Sequence, residues 1–249
     1  MNKKYALILA LLFAGLVISD IFLFKTITSS STSNRETAVI SRVIDGDTLK
    51  LEDGRTVRLL NINTPEKGII GWNLSYLFLK SFENKTISLE VTGIDKYKRS
   101  LARIYAPDYL NFELVKSGMS SKFLVQDSEL SAFSNAEESA IKNSMGIWKK
   151  SPLYACFSSN IDKYNEIIYL KNKCNPIQVN GWTIKDESRK TYTFGDISLG
   201  EIRIHSLHGN DNSTDIYWNS EMNIWNDDRD SLYLFDLEGN IVHYESYGY

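Results

Sequence analysis

The chain has 249 residues, of which 43% are hydrophobic and 12% aromatic. This composition excludes a largely disordered chain, and the length favours two modest folded domains over one small module. The formal net charge is −3, made up of +3 in residues 1–35, +1 in residues 36–153 and −7 in residues 154–249. Because acidic surfaces repel nucleic acid, any polyanion site is expected upstream of residue 154.

The N-terminus carries a targeting signal. After the basic start MNKK, the stretch YALILALLFAGLVISDIFLF is apolar for 20 residues apart from Asp20. Such a stretch can span a bilayer core of ~30 Å, and its first part also suits a signal-peptide core. We expect residues 1–25 to be an uncleaved signal anchor or a removed signal peptide, with a buried helix of a soluble domain as the alternative. Both targeting interpretations place the remaining chain outside the cytoplasm, membrane-anchored or secreted.

Strand patterns begin after a polar linker. Residues 26–37, TITSSSTSNRET, are small and polar, which predicts a linker. From Ala38 onward AVISRVI, TLKLEDGRTVRLLNI, KTISLEVTGI and LARIYA predict strands, with a hairpin turn at Leu-Glu-Asp-Gly.

Three helices are predicted among these strands. NLSYLFLKSFEN has apolar residues at helical spacing, and residues 108–119 and 132–148 also have helical patterns. The expected apolar face of the first helix is Leu74, Leu77, Phe78 and Phe82. Five strands with helices over residues 38–150 predict a mainly β fold with some α, namely a small closed barrel with helices packed on it.

The last third of the chain has a different pattern. Seven short strand-like runs follow one another between turn signals: EIIYLKN, GWTIKD, TYTFGD, EIRIHSL, DIYW, SLYLFDL and NIVHYESY. With no convincing helix, residues 158–249 predict an antiparallel β-sandwich, with the boundary between domains at 149–160. Cys156 and Cys174 are either bridged, as an oxidising compartment allows, or two buried free thiols.

A possible cation site lies in VIDGDTLKL. Asp45 and Asp47 stand two residues apart at a strand edge and are expected to point to one face. Two adjacent carboxylates repel each other unless a cation or a proton lies between them. Asn63 and the Thr64 carbonyl, on the neighbouring strand, would complete an all-oxygen site suited to a hard cation.

The stretch VRLLNINTPE places Arg58 inside an apolar run and ends on Glu66. A buried guanidinium is unfavourable unless it meets an anion, so either a structural carboxylate or a ligand is expected to pair with Arg58. Pro65 limits the directions in which Glu66 can point, and Arg99 lies in the basic loop of DKYKRSLARIY. A cation, two arginines and a glutamate that orients water are what phosphodiester hydrolysis requires.

Each of these signals has a commoner explanation when taken alone. The sequence DGDT is more often a self-capping turn, Arg58 a structural ion pair and TPE a helix start. Their joint order and spacing favour the functional interpretation.

Four motifs resemble the thermonuclease, or staphylococcal nuclease, family: VIDGDTLKL, VRLLNINTPE, DKYKRSLARIYA and ELVKSGM…NSMGIW, in order over residues 38–150. The resemblance implies an OB-fold barrel and Ca²⁺-dependent cleavage of DNA or RNA that leaves 3′-phosphate ends, so that the chain would be a hydrolase of the endonuclease type. It implies that Asp47 and the Thr64 carbonyl bind calcium. It further implies that Arg58 and Arg99 bind the phosphate and that Glu66 is the general base.

Two positions depart from the family pattern. Asn63 stands where the best-known member has its second calcium carboxylate, so one negative charge is missing and calcium affinity is expected to fall. Lys98 stands where a glycine is usual and adds positive charge beside the expected phosphate, while Tyr97 keeps the family's tyrosine, either as a nucleotide contact or as a rim aromatic.

Residues 158–249 resemble lamin-tail domains, through NEIIYLKNKCNPIQVNGWTIKDE and IWNDDRDSLYLFDLEGNIVHYESY. That resemblance implies an immunoglobulin-like sandwich that binds or positions a partner of unknown identity. The whole sequence therefore predicts a membrane-anchored extracytoplasmic nuclease acting on DNA or RNA. The alternatives are a non-catalytic nucleic-acid- or protein-binding module at the outer membrane surface, and a structural surface protein built around the sandwich.

Overall fold

The computed structural model describes residues 35–249. The predicted signal segment, residues 1–25, and most of the predicted linker lie outside the described residues. Within the described part, no helix is both long enough and apolar enough to cross a bilayer.

Five strands of the N-terminal part close into a barrel in the order β1-β2-β3-β6-β5. We call residues 36–150 the barrel region. Its strands are β1 (Glu36–Asp45), β2 (Thr48–Leu51), β3 (Thr56–Leu59), β4 (Ile62–Asn63), β5 (Thr86–Ile94), β6 (Ser100–Tyr105) and β7 (Ser121–Lys122). Its helices are α1 (Trp72–Lys80), α2 (Leu110–Lys116) and α3 (Leu130–Lys142), followed by a 3₁₀ turn at Gly146–Trp148. The predicted five-strand barrel with packed helices is confirmed.

The barrel interior is filled by alternate residues of the strands. In β6, Ala102 and Ile104 are buried while Leu101 and Arg103 lie on the outer side, as the two-residue period of a strand requires. Leu114 of α2 and Phe133 of α3 join the same core cluster. The helices therefore close the barrel by burying one apolar side each.

Two of the four predicted apolar residues of the first helix, Phe78 and Phe82, pack against the barrel core, whereas Leu74 and Leu77 are exposed. Leu74 is 36% exposed and Leu77 is 59% exposed, whereas Leu79 is fully buried. Ser75 and Leu79 lie one turn apart and face the barrel together. Ser75 occupies that face because the β1–β2 turn packs directly on it, which leaves no room for a larger residue.

The C-terminal region, residues 157–249, consists of two four-stranded sheets and one two-stranded sheet. Its strands are β8 (Phe157–Asp162), β9 (Ile167–Asn172), β10 (Ile177–Gln178), β11 (Thr183–Lys185), β12 (Thr191–Thr193), β13 (Ser198–Leu199), β14 (Glu201–His205), β15 (Asp215–Tyr217), β16 (Asp230–Phe235) and β17 (Ile241–Tyr247). The sheet orders are β12-β11-β16-β17 and β15-β14-β9-β8, with β10-β13 apart.

Both four-stranded sheets contribute to one core. Leu170 and Ile204 come from one sheet and Ile184 and Leu234 from the other, and all four belong to the same buried cluster. The pairing differs from the expected purely antiparallel sandwich because β14 and β15 run parallel. The immunoglobulin-like and lamin-tail assignments stay predictions. Cys156 and Cys174, whose pairing the sequence left open, form a disulfide.

The two regions share a buried surface. Trp148 at the end of the barrel region stacks on Tyr233 of β16, with ring centroids 5.3 Å apart. Beside them Lys122 Nζ lies 2.5 Å from Glu137 Oε2 and donates to Ser231 Oγ and Tyr244 Oη, both at 3.1 Å. We call Lys122, Glu137, Ser231 and Tyr244 the buried contact. The buried contact joins the barrel region to the sheet β12-β11-β16-β17 of the C-terminal region.

Candidate active site

Asp47 lies in the tight turn between β1 and β2 and is only 4% exposed. Its Oδ2 accepts from the Thr64 amide at 3.3 Å and the Thr64 hydroxyl at 3.1 Å, and its Oδ1 accepts from Thr48 Oγ1 at 2.9 Å. A Cβ at Gly46 would overlap Ser75 Oγ of α1 and lie 2.8 Å from Thr64 Oγ1. Glycine therefore allows this turn to pack against the strand that carries Thr64.

Arg58 of β3 points into the protein, with 7% of the residue exposed. Its Nη2 lies 3.1 Å from Asp47 Oδ2 and donates to Asn63 Oδ1 at 2.9 Å. Arg58 also donates to two main-chain carbonyls, from Nη1 to Leu59 O at 2.7 Å and from Nη2 to Ile62 O at 2.9 Å. The anion expected for this buried guanidinium is thus a structural carboxylate, Asp47, and the pair fixes the end of β3 to β4.

Asn63 and Thr64 are held from both sides of β4. Asn63 is paired with Ser121 of β7, whose hydroxyl donates to Asn63 O at 3.2 Å. The Asn63 amide nitrogen donates to the carbonyl of Glu187 in the C-terminal region at 3.0 Å. Thr64 is 2% exposed. The candidate metal ligands therefore lie where the barrel region meets the C-terminal region.

Glu66 lies on the exposed side of this site, with 57% of its side chain accessible. It forms an ion pair with Arg189 of the C-terminal region. The same Arg189 Nη1 donates to the Thr64 carbonyl at 3.3 Å. One guanidinium thus bridges two of the predicted site residues.

Arg99 reaches the site from the loop before β6. Its Nε donates to Asp95 Oδ2 at 2.7 Å, and its Nη1 lies 3.5 Å from Thr48 Oγ1, the hydroxyl bonded to Asp47. Tyr97 is 68% exposed, and its ring centroid lies 5.4 Å from the Arg99 guanidinium carbon. Lys98 has a φ of 65° in the same turn, which is the left-handed region that glycine prefers. This left-handed backbone conformation explains why glycine is the usual residue at this position. The Lys98 side chain is exposed beside Arg99.

The expectation that Asp45 and Asp47 share one face is wrong. Asp45 is the last residue of β1 and Asp47 lies in the following turn, so strand alternation does not apply between them. Asp45 Oδ1 accepts from Trp72 Nε1 at 2.6 Å and from the Gly46 amide at 2.8 Å. Its carboxylate is therefore engaged with α1, apart from Asp47 and Thr64.

The charged groups of the site act on one another. Burial lowers the pKa of the Arg58 guanidinium below its usual value, and the positive charges of Arg189 and Arg99 act in the same direction. The Asp47 and Glu66 carboxylates oppose this shift of the Arg58 pKa. Residues from three distant segments of the barrel region, and one from the C-terminal region, therefore form a single electrostatic cluster.

The donor chemistry of this cluster suits a hard cation. Among residues 35–249, no three histidine, cysteine, aspartate or glutamate side chains are grouped closely enough to share a metal ion. The Thr64 carbonyl and the Glu66 carboxylate both contact Arg189, and the Asp47 carboxylate accepts from the amide and hydroxyl of Thr64. Carboxylate and carbonyl oxygens are donors that calcium accepts. Arg58 donates to the Asn63 amide oxygen and pairs with Asp47 Oδ2, and Arg189 contacts the Thr64 carbonyl and one of the two Glu66 carboxylate oxygens, Oε1. The donor types of the set are those that calcium binds, and arginines contact each of its members.

Arg189 and Glu187 were not anticipated as site residues. They lie in the β11–β12 loop, residues 186–190, whose sequence DESRK is typical of a solvated hairpin turn. No local signal distinguishes this loop from other charged turns. Its role follows only from the packing of the C-terminal region against the barrel.

The profile of the staphylococcal nuclease homologue family matches residues 56–150. A protein of Staphylococcus intermedius named "Thermonuclease" is 32% identical over 137 residues, which cover 49% of this chain and 82% of that protein. An "Uncharacterized endonuclease" of Haemophilus influenzae is 29% identical over 139 residues, covering 53% of this chain and 78% of that one. An "Uncharacterized endonuclease" of Escherichia coli O157:H7 is 36% identical over 85 residues, which are 32% of this chain and 56% of that protein.

Proposed function

The chain belongs to the staphylococcal nuclease homologue family, and from this premise we propose that it hydrolyses phosphodiester bonds of DNA or RNA in a calcium-dependent reaction. The observation that carries the proposal is a continuous chain of contacts. Arg99 contacts Thr48, Thr48 donates to Asp47, and Asp47 pairs with Arg58 and accepts from Thr64. These contacts link residues of motifs that are far apart in sequence.

Glu66 is the proposed general base. Its carboxylate is the most accessible acid of the site, and it follows Pro65, which restricts the backbone in front of it. It accepts a proton from water as the water oxygen forms its bond to phosphorus and the bond to the leaving ester oxygen breaks. The proton from water comes to rest on the Glu66 carboxylate, and the leaving ester oxygen takes up a proton from solvent.

Arg58 and Arg99 have different proposed roles. Arg99 is partly exposed, with 29% of its side chain accessible, and can contact a phosphate oxygen while Asp95 orients it. Arg58 is buried and its Nη2 is taken up by protein acceptors, so its main contribution is positive charge and the alignment of Asp47. Tyr97 and Lys98, exposed beside Arg99, are the proposed contacts for the rest of the nucleotide.

Asp47, the Thr64 carbonyl and Glu66 are the proposed calcium-binding groups. When bound, calcium supplies positive charge that neutralises a phosphate and polarises water. Asn63 reaches this set only if its amide oxygen leaves Arg58. Asp45 is not among these groups, because its carboxylate accepts from Trp72 and from the Gly46 amide.

A nuclease assay on the full chain tests the proposal. We expect cleavage of DNA or RNA with calcium, none with a chelator, and losses of at least ~100-fold in Glu66→Gln and Arg99→Gln. Arg58→Ala is a poorer test because it leaves the buried Asp47 carboxylate unpaired and destabilises the barrel. Glu113→Gln is the matched control, since Glu113 is an acid of α2 whose partner is Lys116 on the same helix.

Two results would contradict the proposal. Equal cleavage by the wild type and both site variants would assign the activity to another site. Tight nucleic-acid binding without cleavage at any calcium concentration would favour the non-catalytic binding module instead.

We also propose an extracytoplasmic location, membrane-anchored or secreted. The Cys156–Cys174 disulfide supports it, because disulfides persist mainly in oxidising compartments. The apolar stretch in residues 1–25 supports it as well. Protease added to intact cells should digest the C-terminal region, and full protection in intact but not lysed cells would exclude this location.

A further inference from the structure

The β11–β12 loop covers the calcium-binding groups proposed above. Arg189 donates to the Thr64 carbonyl and pairs with Glu66, and the Glu187 carbonyl accepts from Asn63. All three barrel residues belong to the segment NINTPE. The C-terminal region thus reaches the site through one loop and places one positive charge in it.

The loop is built to hold Arg189 at this position. Asp186, 1% exposed, accepts from the Lys190 amide at 2.7 Å and from Ser188 Oγ at 2.5 Å. Lys190 Nζ donates to the Asn223 carbonyl at 3.1 Å. Arg189 itself has a φ of 77°, a left-handed conformation that is uncommon for a side chain of this size. These contacts fix the loop, whereas the Arg189 guanidinium is fixed only by the site.

Arg189 lies over a small cavity. A space of about 50 Å³ is lined by Thr64, Pro65, Glu187 and Arg189 together with neighbouring residues. The Arg189 side chain is 38% exposed, so it bridges this space without being packed on all sides. It can therefore leave the site without opening the protein core.

Three acids around the site each pair with an arginine. Asp47 and Glu66 are matched by Arg58 and Arg189, while Arg99 has its own partner in Asp95. A divalent ion added beside Arg189 would meet its positive charge and would compete with it for the Thr64 carbonyl and Glu66 Oε1. Removing Arg189 frees these two oxygens and makes the site more negative by one charge.

We propose that Arg189 is a resident cation of the active site, which holds Glu66 and the Thr64 carbonyl in the metal-free protein and competes with calcium for them. This inference rests on the proposed calcium-dependent function. Arg189 is thus a positioning residue, supplied by the C-terminal region, that sets how much calcium the site requires. By linkage, the same competition means that calcium weakens the contact between the β11–β12 loop and the barrel.

Calcium titration of the full chain by calorimetry, without nucleic acid, tests the inference. The variant is Arg189→Asn, because asparagine tolerates the left-handed backbone and removes the guanidinium. We expect calcium to bind the variant about tenfold more tightly than the wild type, within the usual range of coupling between sites. Circular dichroism of both proteins establishes that the variant is folded.

Arg229→Asn is the matched control. Arg229 also belongs to the C-terminal region and pairs with a barrel acid, with its Nη1 3.2 Å from Asp127 Oδ1, but it touches none of the site residues named above. Its calcium affinity should equal that of the wild type. An equal increase in both variants would trace the effect to net charge or to loosening between the regions and would overturn the inference.

The other outcomes are also decisive. Unchanged or weaker calcium binding in Arg189→Asn overturns the competition, even if the variant cleaves nucleic acid more slowly. Absence of calcium binding in both proteins overturns it as well. If the wild type binds calcium and Arg189→Asn binds it more tightly, but neither cleaves nucleic acid, the competition stands and the proposed hydrolysis fails.

Discussion

Two ion pairs that differ in burial lie where the barrel and C-terminal regions meet. In the buried contact, the side chains of Lys122 and Glu137 are 1% and 0% exposed. In the pair over the active site, the side chains of Arg189 and Glu66 are 38% and 57% exposed. Breaking a buried pair leaves an unpaired charge in the interior, whereas an exposed pair exchanges readily with water and ions. The buried pair lies within the barrel region and holds the C-terminal region through hydrogen bonds from Lys122 to Ser231 and Tyr244. The exposed pair joins the two regions directly and can respond to a ligand.

The two kinds of contact are connected through β4 and β7. Lys122 of the buried contact is the register partner of Ile62, and Ser121 is the partner of Asn63. The site strand is therefore fixed from its inner side by the buried contact, while Arg189 touches it from outside. A change at the inner side should affect folding, and a change at the outer side should affect ligand binding.

The largest effect is expected for Glu137→Gln. Burial lowers the pKa of the Lys122 ammonium, but Glu137 and Tyr244, through their charges and their hydrogen bonds to Lys122, together outweigh burial and keep this pKa above its usual value. The variant leaves that ammonium buried without its carboxylate, so we expect a loss of about 3–5 kcal/mol in the free energy of unfolding. Urea unfolding followed by fluorescence measures it.

A double variant sharpens this prediction. Lys122→Met combined with Glu137→Leu removes both charges, and its stability should lie well above that of Glu137→Gln. A double variant as unstable as the single one would show that hydrogen bonds to Ser231 and Tyr244, not charge, stabilise the buried contact.

An intermediate and pH-dependent effect is expected for Glu187, which lies between the two contacts. Burial raises the pKa of its carboxyl to about 7, Tyr249 Oη opposes this shift, and the charge of Asp230 adds to it. The folded state thus holds the Glu187 proton more tightly than the unfolded state, where the pKa is near 4.5. Its contribution to stability is therefore complete below pH 4.5 and is lost as pH rises towards 7.

The measurement compares wild type with Glu187→Gln across this range. From pH 4.5 to 7, the free energy of unfolding of the wild type should fall by on the order of 2 kcal/mol relative to the variant. Parallel pH profiles for the two proteins would contradict the burial of Glu187 as a protonated acid.

The smallest effect is expected for Arg229→Asn. The partner of Arg229, Asp127, has a side chain that is 94% exposed, so this pair is weak. We expect a loss of less than about 1 kcal/mol, which should shrink further in high salt. If the free energy of unfolding falls as much in Arg229→Asn as in Glu137→Gln, solvent exposure does not determine how strongly an ion pair stabilises this protein.

Much of the barrel could be predicted from the sequence. Alternation of apolar residues identified its strands, and Arg58 within an apolar run indicated a buried guanidinium with an anion nearby. Local patterns failed where a neighbouring segment decided the outcome. The buried face of α1 follows from the turn that packs on Ser75, and Asp45 is separated from Asp47 by the turn that begins at Gly46.

The sequence by itself determined the β-rich barrel, the order of the site motifs and the chemistry of their side chains, because these depend on residue type and on short-range periodicity. Only the tertiary structure decided which acid pairs with Arg58, whether the two cysteines form a disulfide, and which residue of the C-terminal region contacts the site. Arg189 is 123 residues from Glu66. No local pattern links two such residues, since their contact arises from the packing of one folded region on another.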